Sequence, residues 1–536
     1  MHVKRIIVSG FKALRSFDME LGENLNIIVG DNETGKTTVL EAVGLVLSGQ
    51  MAGRSVLYDL DPYYFNTGMA AEYFALLRRR ANPPPPQILI EAYLDDDGTE
   101  ELARLKGTNN TRGEDCPGLS MAILLNQDLA DDFKAYVSNV KNAELIPVEF
   151  FTVQWRSFAG NSVAARTLPF RATVIDTSLV RAYFGPNKYL AQIIAECLKD
   201  DKQRISLAAA YRQLKHAFMG EPGIKEINDY LMQKKGDITG KALTLSLDMS
   251  ARSTWESSIT AHLDDVPFSD VGKGEQSRVQ MKLAIEAATG SSVLLVEEPE
   301  NHLSHSNMSR LIDEISRKAA GRQILITTHS SFVLNKLGLD RVKLLSSHGV
   351  LTLTALSSPT TDYFMKLPGY DTLRLLLSSR TILVEGPSDE LIVQKVYREA
   401  HGKLPLEDGV DVIAVGGLAF KRFLEIGAML KLRMCIVTDN DGDVAGLREK
   451  YKEYLGVQHP TITICFDEDE TCNTLEPQLV KANSRAKLNR VFGTTHATDK
   501  ALLEYMKRNK TDCALKVLTT TEALSVPEYI RRAIQA

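Results

Sequence analysis

Apolar residues cluster over Val3–Val8 and again over Leu25–Val29, with a turn around Leu21–Asn24 between them, so two strands are expected there. Residues 36–48 then read as a helix. A mixed region follows to about residue 165, interrupted by Pro83–Pro86, which cannot lie inside a helix and marks an exposed connection. From about 188 to 235, apolar positions such as Leu190, Ile193, Ile194 and Cys197 recur at three- and four-residue spacing. They predict a helical insertion, either a dimer interface or an ordinary core-facing helix pair. Val293–Val296 and Gln323–Thr327 read as strands around a helix at about 306–319, a βαβ unit. Ser357–Pro368, with two prolines and several Ser and Thr, reads as a linker. Beyond it the βα alternation restarts: Thr381–Val384, helix 388–400, Val410–Val415, helix 419–430 and Met434–Val437. That restart predicts a second α/β domain. No internal repeat is visible.

The 536 residues are too many for one domain, and ~150 residues per domain predicts three or four units. The 44% hydrophobic and 24% charged composition is that of a globular protein. No apolar run approaches the ~20 residues that a membrane helix needs, so no membrane association is expected. The first residues read as a strand rather than a signal peptide. The six cysteines are scattered with no C-x-x-C pair, which predicts neither a disulfide framework nor a zinc site and points to the reducing cytoplasm. The net charge of −5 conceals an asymmetry, because residues 481–536 hold eleven Lys and Arg against five Asp and Glu. Such a tail is either a solvated helical face or a contact for phosphodiesters.

Gly30-Asp31-Asn32-Glu33-Thr34-Gly35-Lys36-Thr37 matches G-x-x-x-x-G-K-[ST] in full and sits between a predicted strand and a predicted helix. The glycines would turn main-chain N–H groups toward phosphates, Lys36 would reach the terminal ones, and Thr37 would ligate Mg²⁺. Gly30, Asn32, Gly35 and Thr38 complete this candidate ATP site. Downstream, Val293–Val296 is followed by Glu297, a candidate for holding Mg²⁺ through water, and Glu298, a candidate for orienting the attacking water. Gly272 and Gly274 open a predicted helix where an ATPase of this class caps its partner's nucleotide, and His329 ends the next strand as a γ-phosphate sensor. Gln154, in FFTVQWRSF, is either a Q-loop residue or an ordinary surface glutamine.

The opening VKRIIVSGFKALRSFDMELGENLNIIVGDNETGKTTVLEAV resembles the ABC-type ATPases of the RecF and SMC group, and EEPENHLSH resembles their Walker B and D-loop as written in the OLD (overcoming lysogenisation defect) family. Two features depart from that pattern: the signature loop is VGKGEQS rather than LSGGQ, and Glu297 stands where an Asp is usual.

A second acidic set follows. Ile382–Val384 ends in Glu385 and Gly386, with Asp389 four residues after Glu385, and Cys435–Val437 runs into Thr438-Asp439-Asn440-Asp441-Gly442-Asp443. Carboxylates at the ends of neighbouring strands repel, so their gathering makes sense around a cation. Read alone, D-x-D-G-D is a capped turn before a helix. The pair resembles the Toprim domain of topoisomerases, primases and OLD-family nucleases. That resemblance implies that Glu385, Asp389, Asp439, Asp441 and Glu476 hold Mg²⁺ or Mn²⁺ and that Lys510 serves at the scissile phosphate, with Lys507 and Lys481 as rivals.

The expected architecture is therefore α/β. An ABC-type P-loop ATPase domain spans 1–355 with a helical insertion at about 175–250, and a linker covers 356–376. A Toprim, Rossmann-like α/β domain spans 377–480, and a basic helical part at 481–536 completes it. The resemblance implies an ATP-binding DNA endonuclease, a dimer or tetramer, acting in anti-phage defence alone, with a helicase-like partner, or with a reverse transcriptase and its RNA–DNA product. The alternative is a RecF-like DNA-repair clamp without nuclease activity. A transporter subunit has no use for the second acidic set, and a primase would carry a zinc module ahead of it.

Overall fold

The computed structural model describes the chain except residues 52–53, 80, 140–144, 177–199, 235–240, 242, 249–254, 256–257, 288–290, 302, 319–320, 347–348, 354–355, 368–371, 417–418, 457 and 536. The chain forms two compact units, one from Met1–Pro169 with Ser316–Ala536 and one from Phe170–Ile315.

In the first unit, Val3–Phe11 pairs antiparallel with Leu14–Glu20, and its other edge pairs with Ile88–Leu94. The sheet continues through Cys116–Leu125 to Phe151–Ser157. The sequence pattern places only a turn between the first two apolar runs, whereas the structure inserts the strand Leu14–Glu20. Only Leu14 and Met19 of that strand are buried. An edge strand this polar carries too sparse an apolar signal to be read from sequence.

The P-loop strand Leu25–Gly30 is buried along its whole length, as a central parallel strand requires. It lies between Gln323–Thr327 and Val342–Ser346, both parallel to it, and Gly349–Thr352 closes the edge antiparallel. Lys36–Ser48 forms the helix that follows the P-loop, as expected. Trp155 fastens the far end of that helix: its indole N–H donates to the Val46 carbonyl at 2.9 Å. Gly49 ends the helix in the left-handed conformation, with φ 69°. A Cβ there would stand 2.7 Å from the indole ring.

The third sheet of this unit has four parallel strands in the order Val410–Ala414, Arg380–Val384, Met434–Val437 and Ile462–Cys465. Helices Pro387–His401 and Phe420–Leu430 connect its first strands. The basic C-terminal stretch packs into this domain, since Leu488, Phe492, Leu502, Met506, Tyr529 and Ile530 share one core with Ile382, Val384, Cys435 and Val437. Its cations ride on helices whose apolar faces are buried.

The stretch expected to be a linker is folded. Ser358–Lys366 and Thr372–Leu377 are helices, and Thr360, Phe364 and Thr372 are fully buried. Phe364 meets Phe423 edge-on at 5.2 Å, which ties the stretch to the helix Phe420–Leu430. Pro359, read as a breaker, sits instead in the first turn, where its missing N–H costs nothing.

In the second unit, Ala172–Asp176 and Val293–Glu297 pair in parallel, and helices Asp201–Met219, Pro222–Gln233 and Lys273–Ala287 lie between them in sequence. Leu190, Ile193, Ile194 and Cys197 of the expected insertion lie outside the described residues. No described helix is long and apolar enough to cross a membrane.

Gly49→Ala should destabilise the protein by at least ~1 kcal/mol, from the left-handed backbone alone and before any clash with Trp155. Urea unfolding of both proteins checks this, and equal midpoints would contradict the left-handed backbone and the close ring contact at Gly49.

Candidate active site

The P-loop has the shape its sequence requires. Gly35 caps the helix with φ 93°, and Glu33 is also left-handed at φ 68°. A side chain at Gly30 would bring its Cβ within 2.6 Å of the Thr34 hydroxyl and 2.9 Å of the Leu345 carbonyl, so only glycine allows this close approach. The Lys36 ammonium is folded into the loop, donating to the carbonyls of Gly30 at 3.0 Å and Asp31 at 2.8 Å. Thr37 and Asn32 are exposed, while Thr38 is buried under the helix start. His329 is exposed at the end of Gln323–Thr327, the strand beside the P-loop strand. Gln154 is half-buried on Phe151–Ser157, across from Ala122 and next to the Trp155 anchor. Glu297 closes its strand, and Glu298 follows with φ 40° and accepts from the Asn301 amide at 2.9 Å. Those two residues belong to the second unit, as do Gly272 and Gly274 at the start of Lys273–Ala287.

The second acidic set is assembled wholly within the first unit. Glu385 ends the strand Arg380–Val384, and Asp439 and Asp441 follow the neighbouring strand Met434–Val437. Glu385 Oε1 accepts from the Thr438 hydroxyl at 2.7 Å and from the Asp439 N–H at 2.9 Å, which joins the two strand ends directly. Asp389, in the first turn of Pro387–His401, accepts from the Gly386 N–H at 3.2 Å. Asp441 takes the left-handed conformation, φ 51°, and Gly442 follows at φ 83°, so the acidic loop doubles back on itself. Glu476 is buried at the start of Leu475–Ala482 and forms an ion pair with Lys510 at 3.4 Å.

These carboxylates feel one another strongly. Burial, reinforced by Glu385, Asp389, Glu476 and Asp441, pushes Asp439 up to about 8. Burial and then Glu385 push Asp389 up to about 6. Among the described residues, no three His, Cys, Asp or Glu side chains already stand spaced to grip one ion. Every side chain of the set offers carboxylate oxygen, the donor that hard divalent ions such as Mg²⁺ and Mn²⁺ take, and a cation would offset the repulsion that lifts Asp439. The residues fit such an ion.

The rival lysines separate by position. Lys481 is paired with Asp469, Lys507 is exposed on Asp499–Arg508, and of the three it is Lys510 that reaches a carboxylate of the set.

Sequence reasoning missed several supporting groups. Asn440 is buried between the two aspartates and donates to the carbonyls of Asp467 at 2.8 Å and Asp469 at 3.1 Å, pinning the acidic loop to the next one. Tyr529 is deeply buried, and burial followed by Asp439, Asp389 and Glu385 holds its phenol well above its ordinary value. Tyr451 is fully buried, and its phenol is raised by burial and by Glu385. Neither tyrosine lies in a motif, and only long-range folding brings them here.

Residues 376–441 match the family described as "Overcoming lysogenization defect protein-like, TOPRIM domain". Residues 5–103 and 257–335 match models of AAA domains. The chain is 20% identical over 481 residues to "Endonuclease GajA" of Bacillus cereus (strain VD045), spanning 82% of this chain and 75% of that protein. It is 35% identical over 68 residues to "DNA replication and repair protein RecF" of Actinobacillus pleuropneumoniae serotype 5b (strain L20), which is 12% of this chain and 19% of RecF. Among solved structures, the SMC head domain from Thermotoga maritima matches with a TM-score of 0.31 at 13% identity, over 66% of this chain and 99% of that one. The recombination mediator RecF bound to ATP matches with a TM-score of 0.34 at 14% identity, over 66% and 99%. Segments that match AAA domains and an OLD-like Toprim domain are thus joined in one chain, which over most of its length is similar to an endonuclease.

Proposed function

We propose that this protein is a DNA endonuclease that hydrolyses phosphodiester bonds with divalent ions at its Toprim acids, under the control of ATP at the P-loop. The observation that carries the reading is the gathering of Glu385, Asp389, Asp439, Asp441 and Glu476 at a strand junction where burial first, and their mutual repulsion second, pushes Asp439 up to about 8. A protein gains nothing structurally from such repulsion, and perturbed carboxylates of this kind mark functional sites. The similarity to an endonuclease over 82% of the chain supports the same reading.

Bound Mg²⁺ or Mn²⁺ would supply charge neutralisation at the phosphate and a more acidic attacking water. Glu385, Asp439 and Asp441 would hold one ion, with Asp389 and Glu476 serving a second. Lys510, released from Glu476, would face the negative charge that develops on the phosphate. Thr438 and Asn440 fix the strand end and the loop on which these acids ride. At the nucleotide, Lys36 and the P-loop amides would hold phosphates, with Gly30, Asn32, Gly35 and Thr38 shaping the cradle and Thr37 ligating the ion. Glu297 and Glu298 would serve hydrolysis, His329 and Gln154 would sense the γ-phosphate, and Gly272 and Gly274 would cap the nucleotide of a second copy in a dimer or tetramer. Anti-phage defence in the cytoplasm, alone or beside a helicase-like protein or a reverse transcriptase, is the setting that the family resemblance implies. A second reading, a RecF-like clamp without cleavage, draws on the 35% identity to RecF over 68 residues.

Cleavage separates the two readings. Supercoiled plasmid should be nicked or linearised by the parent only with Mg²⁺ or Mn²⁺, and left intact by Glu385→Ala. Cutting by that variant at the parent's rate would remove the Toprim acids from catalysis, and a parent that never cuts would favour the clamp.

At the other site, Lys36→Ala should bind ATP at least ~100-fold more weakly, since it removes the cation aimed at the terminal phosphates. Titration calorimetry reads this, and an unchanged Kd would sink the P-loop assignment.

The raised carboxylates also set a sign for stability against pH. Asp439 binds its proton more tightly when folded than when unfolded, so its contribution to stability is present at low pH and lost as pH rises from about 4 toward 8. Without metal, Asp439→Asn should therefore gain thermal stability relative to the parent at pH 8 and gain little at pH 4. A parent and variant that track each other across that range would show that the carboxylates do not strain the fold.

A further inference from the structure

The helix Ser331–Leu337 begins directly behind His329, at the end of the strand that flanks the P-loop strand. Two of its polar side chains, the half-buried Ser331 and the buried Asn335, bond toward the Toprim side of the same unit. Ser331 Oγ accepts the Leu373 N–H at 3.3 Å, and the Thr372 hydroxyl donates to Asn335 Oδ1 at 2.6 Å. Thr372 and Asn335 are both fully buried. They join this helix to Thr372–Leu377, which carries Arg374. The Arg374 guanidinium grips both oxygens of Asp411 and reaches the Val412 carbonyl at 3.3 Å. Asp411 lies on Val410–Ala414, the strand paired in register with Arg380–Val384, and beyond that register Gly416 N–H donates to the Glu385 carbonyl at 3.1 Å.

Apolar side chains would fill the same volume and let the two short helices slide. A buried hydroxyl–amide pair does not, because any shift that separates Thr372 from Asn335 leaves both without water to replace the lost bond. The bidentate Arg374–Asp411 pair adds fixed orientation at the next junction. A bonded path thus runs from the helix behind His329 to the strand beside Glu385.

We propose that Ser331, Asn335, Thr372 and Arg374 are positioning residues that couple the nucleotide state sensed near His329 to the placement of Glu385, and so to the nuclease rate. The coupling rests on the endonuclease reading above, and it names the regulation of that same site.

The test compares the parent with Thr372→Val, which keeps shape and loses the hydroxyl, with Thr372→Ser, which restores it, and with Arg374→Gln. Plasmid nicking in Mn²⁺ is measured without nucleotide and with saturating non-hydrolysable ATP analogue. The parent's two rates should differ by at least ~5-fold, a typical coupling between two sites. In Thr372→Val and Arg374→Gln the rates should come within twofold of each other, with ATP affinity and the nucleotide-free rate kept within twofold of the parent. Thr372→Ser should regain the difference. Hydrogen exchange of residues 380–385 and 410–414 gives a second readout that needs no cleavage: the analogue should alter it in the parent and not in Thr372→Val or Arg374→Gln. Variants that keep the parent's full response, or a parent without any nucleotide response in either assay, would overturn the coupling. A parent that never cuts but shows the exchange response lost in the variants would overturn the endonuclease reading and leave the coupling standing.

Discussion

Repulsion among carboxylates is the constraint around which the C-terminal domain is built. Glu385 and Asp439 stand at the ends of adjacent strands, with Asp389 and Glu476 on helices that begin beside them. Parallel strands deliver side chains to one end of a sheet, and the helices after them turn their N-termini toward the same end, so the topology concentrates acids where helix dipoles partly soften the cost. Burial, and then the repulsion that remains, hold protons on Asp439 and Asp389 above the ordinary carboxylate range. A cation is the simplest remedy, and an oxygen-only donor set selects hard divalent ions for it. Lys510 supplies a partial remedy in their absence by pairing with Glu476.

That electrostatic load needs rigid support. The acidic loop is held from below by Asn440 and from the side by Thr438, and the core beneath it is sealed by the last helices of the chain, with Tyr529 and Ile530 packed beside Cys435 and Val437. The basic tail therefore has a structural role first. Many of its cations are already paired, Arg485 with Asp499, Arg490 with Glu522 and Arg531 with Glu528 among them. The ATPase half shows a parallel economy: a fully buried strand, a loop whose close approach at Gly30 needs glycine, and a tryptophan that fixes the helix on which Lys36 rides.

The sequence made local chemistry legible and long-range packing much less so. The P-loop and the strand–acid junctions at Glu385 and Asp439 could be found because each is written within a few residues, whereas sequence left Lys510, Lys507 and Lys481 as rivals and only folding pairs Lys510 with Glu476. The strand Leu14–Glu20 escaped because an edge strand shows only two buried side chains. The helices around Thr360 and Thr372 escaped because prolines and hydroxyls also mark linkers, and only burial against Phe423 and Asn335 distinguishes the two. Asn440, Tyr451 and Tyr529 carry no motif, since what makes them relevant is the company they keep after folding.

The central claim is that the crowded carboxylates form a divalent-metal site. The most direct measurement is calorimetric titration of the parent with Mn²⁺ at pH 7, repeated in buffers of different ionisation enthalpy to count protons. Because Asp439 holds its proton up to about 8, binding should release about one proton per site at pH 7, fading as the pH rises past that value. Asp439→Asn should abolish that release. Mn²⁺ that binds without releasing a proton, or that binds equally well after Asp439→Asn, would contradict the account.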